Sequence, residues 1–485
     1  MGISLNPATI LSGQGIDVSS VVQQIISEQS GPVTVWQQQQ TTIASENGEL
    51  DGINNDLTNL QTAVQALADP VGAFAALTAT TSQPSVVTAT AQSSAISGTH
   101  QIVVTNLATT GTLYTDPIAA GADTSFLISG QTSGDVQLQV GGATGTTYDI
   151  PITQGSNDTL NTLAGYINTQ SAANGWGVSA SVVSDSSGSR LALQSQGSGS
   201  AGALAITTNS NTSLSFTPPQ GGTNATLTID GVPFSSGNDT VTGAIQGVTL
   251  NLVSQSLPGN PVQVTVAPDT NQVSSAVNNF ISAYNTLVSD INAQYAVDPT
   301  GATPAPPLES DISLRSVQSS ILSDAAYSIG GNGGYVNLAS LGINTNNDGT
   351  LSLGLNASGQ TFTQVLATNP SAVQNFFQNV SGTGFANTFN SDLTNLTDPT
   401  TGPLNAELAQ NNAESQDLTN SINNLEVQLT AQTAALTQQY NNVNASLQAY
   451  PLLLQEITET LGTLGSGTSS SGALISSEPT LTSGL

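Results

Sequence analysis

Apolar residues recur at helical spacing near both ends of this 485-residue chain, and at strand spacing through most of what lies between. Near the N-terminus Ile43, Leu50, Ile53, Leu57, Leu60, Val64 and Leu67 form one stripe, with Glu46 alone breaking the series. Near the C-terminus Leu404, Leu408, Leu418, Ile422, Leu425, Leu429, Leu436, Val443 and Leu447 repeat the code. A heptad stripe is too narrow to be buried by its own helix and needs a partner helix. The simplest partner for one terminal stripe is the other. The pattern predicts an α+β multidomain protein in which the terminal helices form a coiled-coil or helical-bundle stalk and β-rich head domains are inserted between them.

Along the chain, residues 17–30 read as a short amphipathic helix carrying Val18, Val21, Val22, Ile25 and Ile26 on one side, with Asp17 as a good N-cap. Gly31-Pro32 interrupts it, and Trp36 leads into the first stripe. From about residue 78 the texture changes to the Thr/Val/Ser alternation of strands. Residues 134–205 read as an inserted ββαββ domain, with strands at 136–140, 148–152, 178–183 and 190–193 and a helix near 160–168. Strands resume at 225–229, 248–253 and 262–266, and the helical code returns with Val273, Val277, Phe280, Tyr284, Leu287 and Ile291. A second helix near 312–322, a glycine-rich loop at 330–334, a hairpin turning at Asp348-Gly349 and a helix over 363–378 interrupted at Asn369-Pro370 follow. From Leu404 to Leu447 the last helix spans about 66 Å, against about 37 Å for the first stripe. Pro451 is expected to break it, leaving Leu452, Leu453, Leu454, Ile457 and Leu461 as a separate apolar piece.

The expected divisions are therefore a start and short helix (1–42), the first stalk helix (43–77), and a β head in two parts (78–133 and 206–268) around the insert (134–205). Bundle helices with a hairpin (269–403), the long C-terminal helix (404–464) and a tail (465–485) complete the chain. Residues 1–16 and the Gly/Ser-rich tail carry no periodicity and read as disordered. The bundle interface is assigned to Ile43, Leu50, Ile53, Leu57, Leu60, Val64, Leu67, Val277, Phe280, Tyr284, Leu287, Ile291, Leu418, Ile422, Leu425 and Leu429. The outer ends lie beyond the bundle's reach, so Val21, Val22, Ile25, Ile26, Trp36, Leu436, Val443, Leu447, Leu453, Leu454 and Ile457 are assigned to contacts between subunits.

Charge narrows the functional classes. There is no lysine, the only arginines are Arg190 and Arg315, and 31 acids bring the formal net charge to −29. Such a chain cannot supply the cationic contacts that nucleic acid demands, and anionic membrane surfaces repel it. No apolar run approaches the ~20 residues needed to span a bilayer, and the first 30 residues lack the pattern of a cleaved secretory signal. With no cysteine, disulfides and thiolate chemistry are excluded. Self-repulsion in a chain without lysine falls as its carboxylates protonate, which fits life in acid surroundings, and a lineage-wide composition bias accounts for the missing lysines equally well.

Candidate chemistry is sparse. Asn344-x-Asn346-x-Asp348-Gly349 begins like a calcium loop, but position 355 is Leu where a bidentate acid is needed. His100, the single histidine, sits in an alternating strand, and no nucleophile-elbow sequence occurs. No catalytic, metal or cofactor set stands out.

Several segments together resemble the flagellar filament cap family, the flagellar hook-associated protein 2 family. Gly15-Ile16-Asp17-Val18 through Val21 to Ile26, with Glu28 and Pro32, is similar to its opening signature. Gly98 to Val104 with Leu107-Ala108 resembles its first β segment, and Gly237 to Thr240 followed by Ala244 to Leu252 its most recognisable internal motif. Val277 to Asn285, Leu314-Arg315-Ser316, Leu338 to Ile343, Asp348 to Leu351, and Asn369-Pro370 with Val373 and Phe376-Phe377 continue the match, so that it runs in order over residues 10–465. The 134–205 insert is similar to a module repeated in flagellins and caps. The family commonly carries many Lys and Arg on the terminal helices. This chain has none there, which leaves oligomer size open.

The resemblance implies a secreted, non-catalytic protein of the flagellum tip, exported through the flagellar type III apparatus with an uncleaved N-terminus as signal. It implies a ring of four to six copies, β domains as a plate and terminal helices as legs, confining flagellin while it folds and inserts. Implied partners are other copies of the chain, flagellin, the hook–filament junction protein and a cytoplasmic export chaperone. No cofactor, nucleic acid or membrane insertion is implied. Two other readings stay open: another axial protein of the hook–filament junction type, and a surface adhesin binding glycans through the β heads.

Overall fold

The computed structural model describes residues 16–297, 299–301, 304–379 and 381–465. The starting stretch expected to be disordered thus lies outside the described residues except for Ile16, as does the tail beyond Gly465. The described chain is α+β, with nine helices and antiparallel sheets. It opens with α1 (Val18–Gln29) and α2 (Gly31–Ala68), followed by β1 (Leu77–Thr81), β2 (Val87–Ala91), β3 (Gly98–Asn106), β4 (Thr110–Tyr114), β5 (Ser133–Val140) and β6 (Thr146–Thr153). Helix α3 (Leu160–Asn174) precedes β7 (Val178–Asp185), β8 (Gly188–Ser198), β9 (Leu204–Ser210), β10 (Ala225–Ile229), β11 (Val232–Ser236), β12 (Thr240–Ile245), β13 (Val248–Leu252) and β14 (Val262–Pro268). Helices α4 (Thr270–Gln294) and α5 (Ile312–Ala325), the hairpin β15 (Ile343–Thr345) and β16 (Leu351–Leu353), and helices α6 (Phe362–Thr368), α7 (Pro370–Gln378), α8 (Phe385–Leu396) and α9 (Pro403–Gly465) complete it.

The chain divides into two compact units. A helical unit comprises Met1–Asn59, Thr286–Leu322 and Asp392–Leu485, and a mixed unit comprises Leu60–Asn285 and Ser323–Ser391. The expected bundle set is split between them: Leu60, Val64, Leu67, Val277, Phe280 and Tyr284 belong to the mixed unit.

Within the mixed unit, a five-stranded sheet ordered β1-β14-β3-β10-β11 and a three-stranded sheet β12-β13-β2 share one core. Alternation sets which side chains enter it: Val262, Val264 and Val266 of β14 are buried, as are Val248, Leu250 and Leu252 of β13. The β10–β11 hairpin turns on Asp230 (φ 53°) and Gly231 (φ 82°), the two left-handed residues that match strand twist. Asp230 also ties the turn to β3, accepting from the Gln101 N–H at 2.8 Å and pairing with His100 Nδ1 at 2.8 Å. The backbone bond first, and His100 second, hold its carboxyl below the usual range.

The insert is larger than residues 134–205. Its two sheets, β4-β8-β7 and β6-β5-β9, recruit β4 and β9 as well as the four strands expected. Its core takes Leu113, Phe126 and Leu214 from outside that span, together with Leu160, Leu163 and Ile167 of α3. Thr159 and Thr162 cap α3 reciprocally.

A second departure is aromatic. Six of the ten phenylalanines (Phe74, Phe280, Phe376, Phe377, Phe385 and Phe389) stack edge-on or face-on at centroid distances of 5.2 to 6.1 Å, with Tyr284 and Tyr327 joining them. Two of these rings come from α8, an element that the stripes near residue 400 overshadow in the sequence. The glycine-rich loop is pinned by buried Asn332, which donates to the carbonyls of Tyr335 and Ala372 and accepts from Asn375.

One expected break is present and one is corrected. The N-terminal helix ends at Gln29 with its cap at Ser30, directly before Gly31-Pro32, and Pro32 falls in the first turn of α2, where its missing N–H costs nothing. Pro451 does not end α9, which continues to Gly465. Proline there removes one helical hydrogen bond, and the helix resumes on its far side.

Candidate functional site: the terminal helices

In the helical unit, α2 and the start of α9 run antiparallel, and their register is marked by side-chain amides. Asn54 Nδ2 donates to Asn405 Oδ1 at 2.9 Å, Asn47 Nδ2 to Asn412 Oδ1 at 3.2 Å, and Gln40 Nε2 to Thr419 Oγ1 at 2.7 Å. Each step of seven along α2 is matched by a step of seven along α9. A heptad repeat therefore carries a polar ladder beside the apolar seam. Amide–amide bonds here occupy the positions where ion pairs often set register, so this contact does not depend on charge. Asn411 donates to Asn47 Oδ1 at 3.0 Å, and Asn405 turns its own amide to the carbonyls of Thr397 and Asp398 ahead of α9.

The two stripes are broken at facing places. Glu46 interrupts the first, and between Leu408 and Leu418 the second has no apolar side chain larger than alanine; the Asn47–Asn411 bond brings these gaps together. Carboxyls gather in the gap. Burial, then Asp311 and Glu414, push the Glu46 carboxyl up. Glu407 is pushed up to about 7, by burial first and then by its hydrogen bond to Asp311. Asp311 also caps α5, its Oδ1 accepting from the Leu314 N–H at 2.8 Å. A second acid pair joins α2 to α4, where burial and the hydrogen bond to Asp290 push Asp56 up to about 6. Gln294 Nε2 donates to Glu49 Oε2 at 2.8 Å between the same helices.

Of the side chains assigned to a bundle interface, Ile43, Leu50, Ile53, Leu57, Leu60, Val64, Leu67, Val277, Phe280, Tyr284, Leu287, Ile291, Ile422 and Leu429 are buried. Leu418 and Leu425 are half-buried.

The side chains assigned to subunit contacts separate into two groups. Helix α1 packs on α9, burying Val18, Val21 and Val22, and the Ile16 N–H donates to Asn444 Oδ1 at 2.7 Å. The expectation that Val21 and Val22 lie beyond the bundle's reach is therefore corrected: α1 folds back on the long helix. Ile25, Ile26, Trp36, Leu436 and Leu447 are half-buried, and Val443 is exposed. Past Leu447 the helix stands open, with Tyr450 65%, Leu452 68%, Leu453 53%, Leu454 52%, Ile457 52% and Leu461 63% exposed. Six large apolar side chains within twelve residues are too many for scattered surface positions. Tyr450 and the amide and acid pairs were not among the assigned site residues. The heptad spacing of Gln40, Asn47 and Asn54 against Asn405, Asn412 and Thr419 is their sequence signal.

The other motifs are absorbed by local structure. In the β15–β16 turn Asp348 Oδ1 accepts from the Thr350 N–H at 3.0 Å, and Asn346 bonds Thr350 and Ser352. No helix among the described residues is long and apolar enough to cross a membrane.

Comparison with known proteins agrees with this architecture. Residues 14–111 match the model of the flagellar hook-associated protein 2 N-terminus, and residues 222–450 that of its C-terminus. Residues 135–197, inside the insert, match the flagellin hook IN motif. The chain is 29% identical over 444 residues to the B-type flagellar hook-associated protein 2 of Pseudomonas aeruginosa, covering 85% of this chain and 88% of that one. It is 28% identical over 363 residues to the flagellar hook-associated protein 2 of Escherichia coli, covering 70% and 74%. The crystal structure of the D1-D2-D3 domains of the flagellar cap protein FliD from Escherichia coli superposes with a TM-score of 0.54 at 25% identity, covering 75% of this chain and 99% of that one. Two terminal-domain matches, an inserted flagellin motif and a shared fold in one order lead to one assignment: the chain belongs to the flagellar hook-associated protein 2 family, the structural cap proteins of the bacterial flagellum.

Proposed function

We propose that the protein is the non-catalytic cap at the distal tip of the flagellar filament, where it confines exported flagellin while subunits fold and insert. It works as a ring of several copies, and the outer end of α9 is the leg by which each copy holds its neighbours or the filament. The observation that carries this reading is the open run from Tyr450 to Leu461 on a chain of the cap family. At about 25 cal/mol per Å2 of apolar surface, keeping six such side chains in water is costly, and burial against a partner recovers that free energy. The hook–filament junction protein and an export chaperone are proposed as further partners on the same family grounds.

The test is a deletion of the gene in its own bacterium. The reading predicts flagellin lost to the medium, filaments shortened or missing, and rescue by the intact chain. Normal filaments in the deletion strain overturn it.

A further inference from the structure

We propose that the open end of α9 is a seam for other copies of this chain, three or more of which bundle there in parallel and in register through Val443, Leu447, Tyr450, Leu454, Ile457 and Leu461. The inference rests on the reading that the protein works as a ring, and it deepens that reading by naming what the outer end of α9 holds.

Successive members of this set stand four, three, four, three and four residues apart. That alternation is the a/d pattern of a coiled coil, with Leu447, Leu454 and Leu461 at a and Val443, Tyr450 and Ile457 at d. Leu447 is half-buried, and the others are exposed, from 43% at Val443 to 65% at Tyr450. Helix α1 begins beside Asn444, where the Ile16 N–H donates to it, and leads back toward α2, whose partners on α9 are Thr419, Asn412 and Asn405. The seam thus continues outward from a contact that α9 already makes, into a stretch that stands open.

Charge distinguishes the occupant. Positions e and g flank a seam, and a charge there selects a partner of the opposite sign. Here they hold Asn444, Ser446, Pro451, Leu453, Thr458 and Thr460, none of them charged. The two acids of this stretch, Glu456 and Glu459, fall at c and f, on the outer side. A basic partner helix would be matched by acids along the seam, and there are none. Copies of a chain with a net charge of −29 and no lysine repel one another over most of their surface. Along this strip they meet no like charge, so the strip is complementary to itself.

The same positions set the number of strands. Leucine at a with a β-branched residue at d favours three or four strands over two, and Leu453 at g adds apolar surface that a wider bundle covers. From Val443 to Leu461 the seam runs ~27 Å, short for a coiled coil standing alone. Copies already held in a ring present their helix ends to one another at an effective concentration of the order of millimolar, which offsets the shortness.

The chain has no cysteine, so a single introduced thiol reports one position at a time. The test treats the full chain carrying Leu461→Cys with a three-armed maleimide and reads the joined species on a denaturing gel. Joined trimers should form about tenfold or more in excess of those from Glu459→Cys, whose thiol lies on the outer side. Equal joining from the two variants overturns the proposal. So does joining of Leu461→Cys only when it is mixed with Leu447→Cys, the mark of antiparallel pairing, and so do joined pairs without trimers. A chain that runs as single copies in solution overturns it as well, as does a Leu461→Cys thiol shielded within a single copy, which means that the chain covers its own seam. A ring in which position 461 does not join removes this inference and leaves the cap reading standing, whereas normal filaments in the deletion strain remove the cap reading whatever the gel shows.

Discussion

Two parts of the mixed unit's interior are built of apolar side chains: β14 and β13 alternate strictly, and Phe280, Phe376, Phe377, Phe385 and Phe389 lock into a cluster from three helices. In the helical unit the α2–α9 contact mixes leucines with amides, and Glu46 interrupts its apolar stripe, with Glu407 of α9 and Asp311 ahead of α5 acting on one another's carboxyls nearby. The difference separates two tasks. An apolar core fixes one arrangement at high cost to any alternative, whereas a seam of amides and half-buried acids sets register with little added strength. A part that must be released and re-engaged suits the second kind of interior. The first suits a part that must keep its shape.

The comparison can be broken by substitution, beginning with the largest effect. Phe385→Ala removes a fully buried ring that contacts several others and should destabilise the mixed unit by about 3–5 kcal/mol; a loss below 1 kcal/mol, measured by denaturant unfolding, would show the cluster to be loosely packed. Leu57→Ala, also fully buried, should cost the helical unit about 2–4 kcal/mol. Asn47→Ala leaves Asn411 and Asn412 to find water and should cost about 1 kcal/mol in the same assay. An effect as large as that of Leu57→Ala would mean that the ladder supplies strength rather than register.

The smallest effect sharpens the comparison through pH. Asp230 and Asp348 in the mixed unit are held low by the hydrogen bonds of their turns. Their contribution is present above the ordinary carboxylate range and lost as pH falls below about 4. Asp230→Asn should therefore lower the mixed unit's melting temperature slightly above about pH 5 and flatten its acid limb, so that the variant and the unaltered chain converge well below about pH 4. Asp56 and Glu407 of the helical unit respond with the opposite sign and over a higher range, their contribution being lost as pH rises through about 6 and about 7.

Much of this was legible in the sequence because period reports burial directly. The stripe of Ile43 to Leu67 and the series Val273 to Ile291 emerge as buried faces, and Glu46, the one break in its stripe, marks the polar layer. Less legible was whatever depends on distant partners. Proline at 451 carries a local penalty that the surrounding helix tolerates, and α1's return onto α9 is decided by Val18, Val21 and Val22 finding a surface some 420 residues away. The insert's full extent was hidden because β4 and β9 are short strands whose partners lie far along the chain. Carboxyl pairing leaves no periodic trace at all.

The account rests most heavily on the contrast between the packed apolar stripe of the first half of α9, with Leu404, Ile422 and Leu429 buried, and its open end. The direct measurement is the solution mass of the purified chain beside Leu453→Glu with Ile457→Glu, paired with its melting temperature. Both positions are exposed, so stability should stay within about 0.5 kcal/mol, while the oligomer formed by the unaltered chain should fall to single copies. An unchanged oligomer in the variant would contradict the claim that this end of the helix is the binding surface.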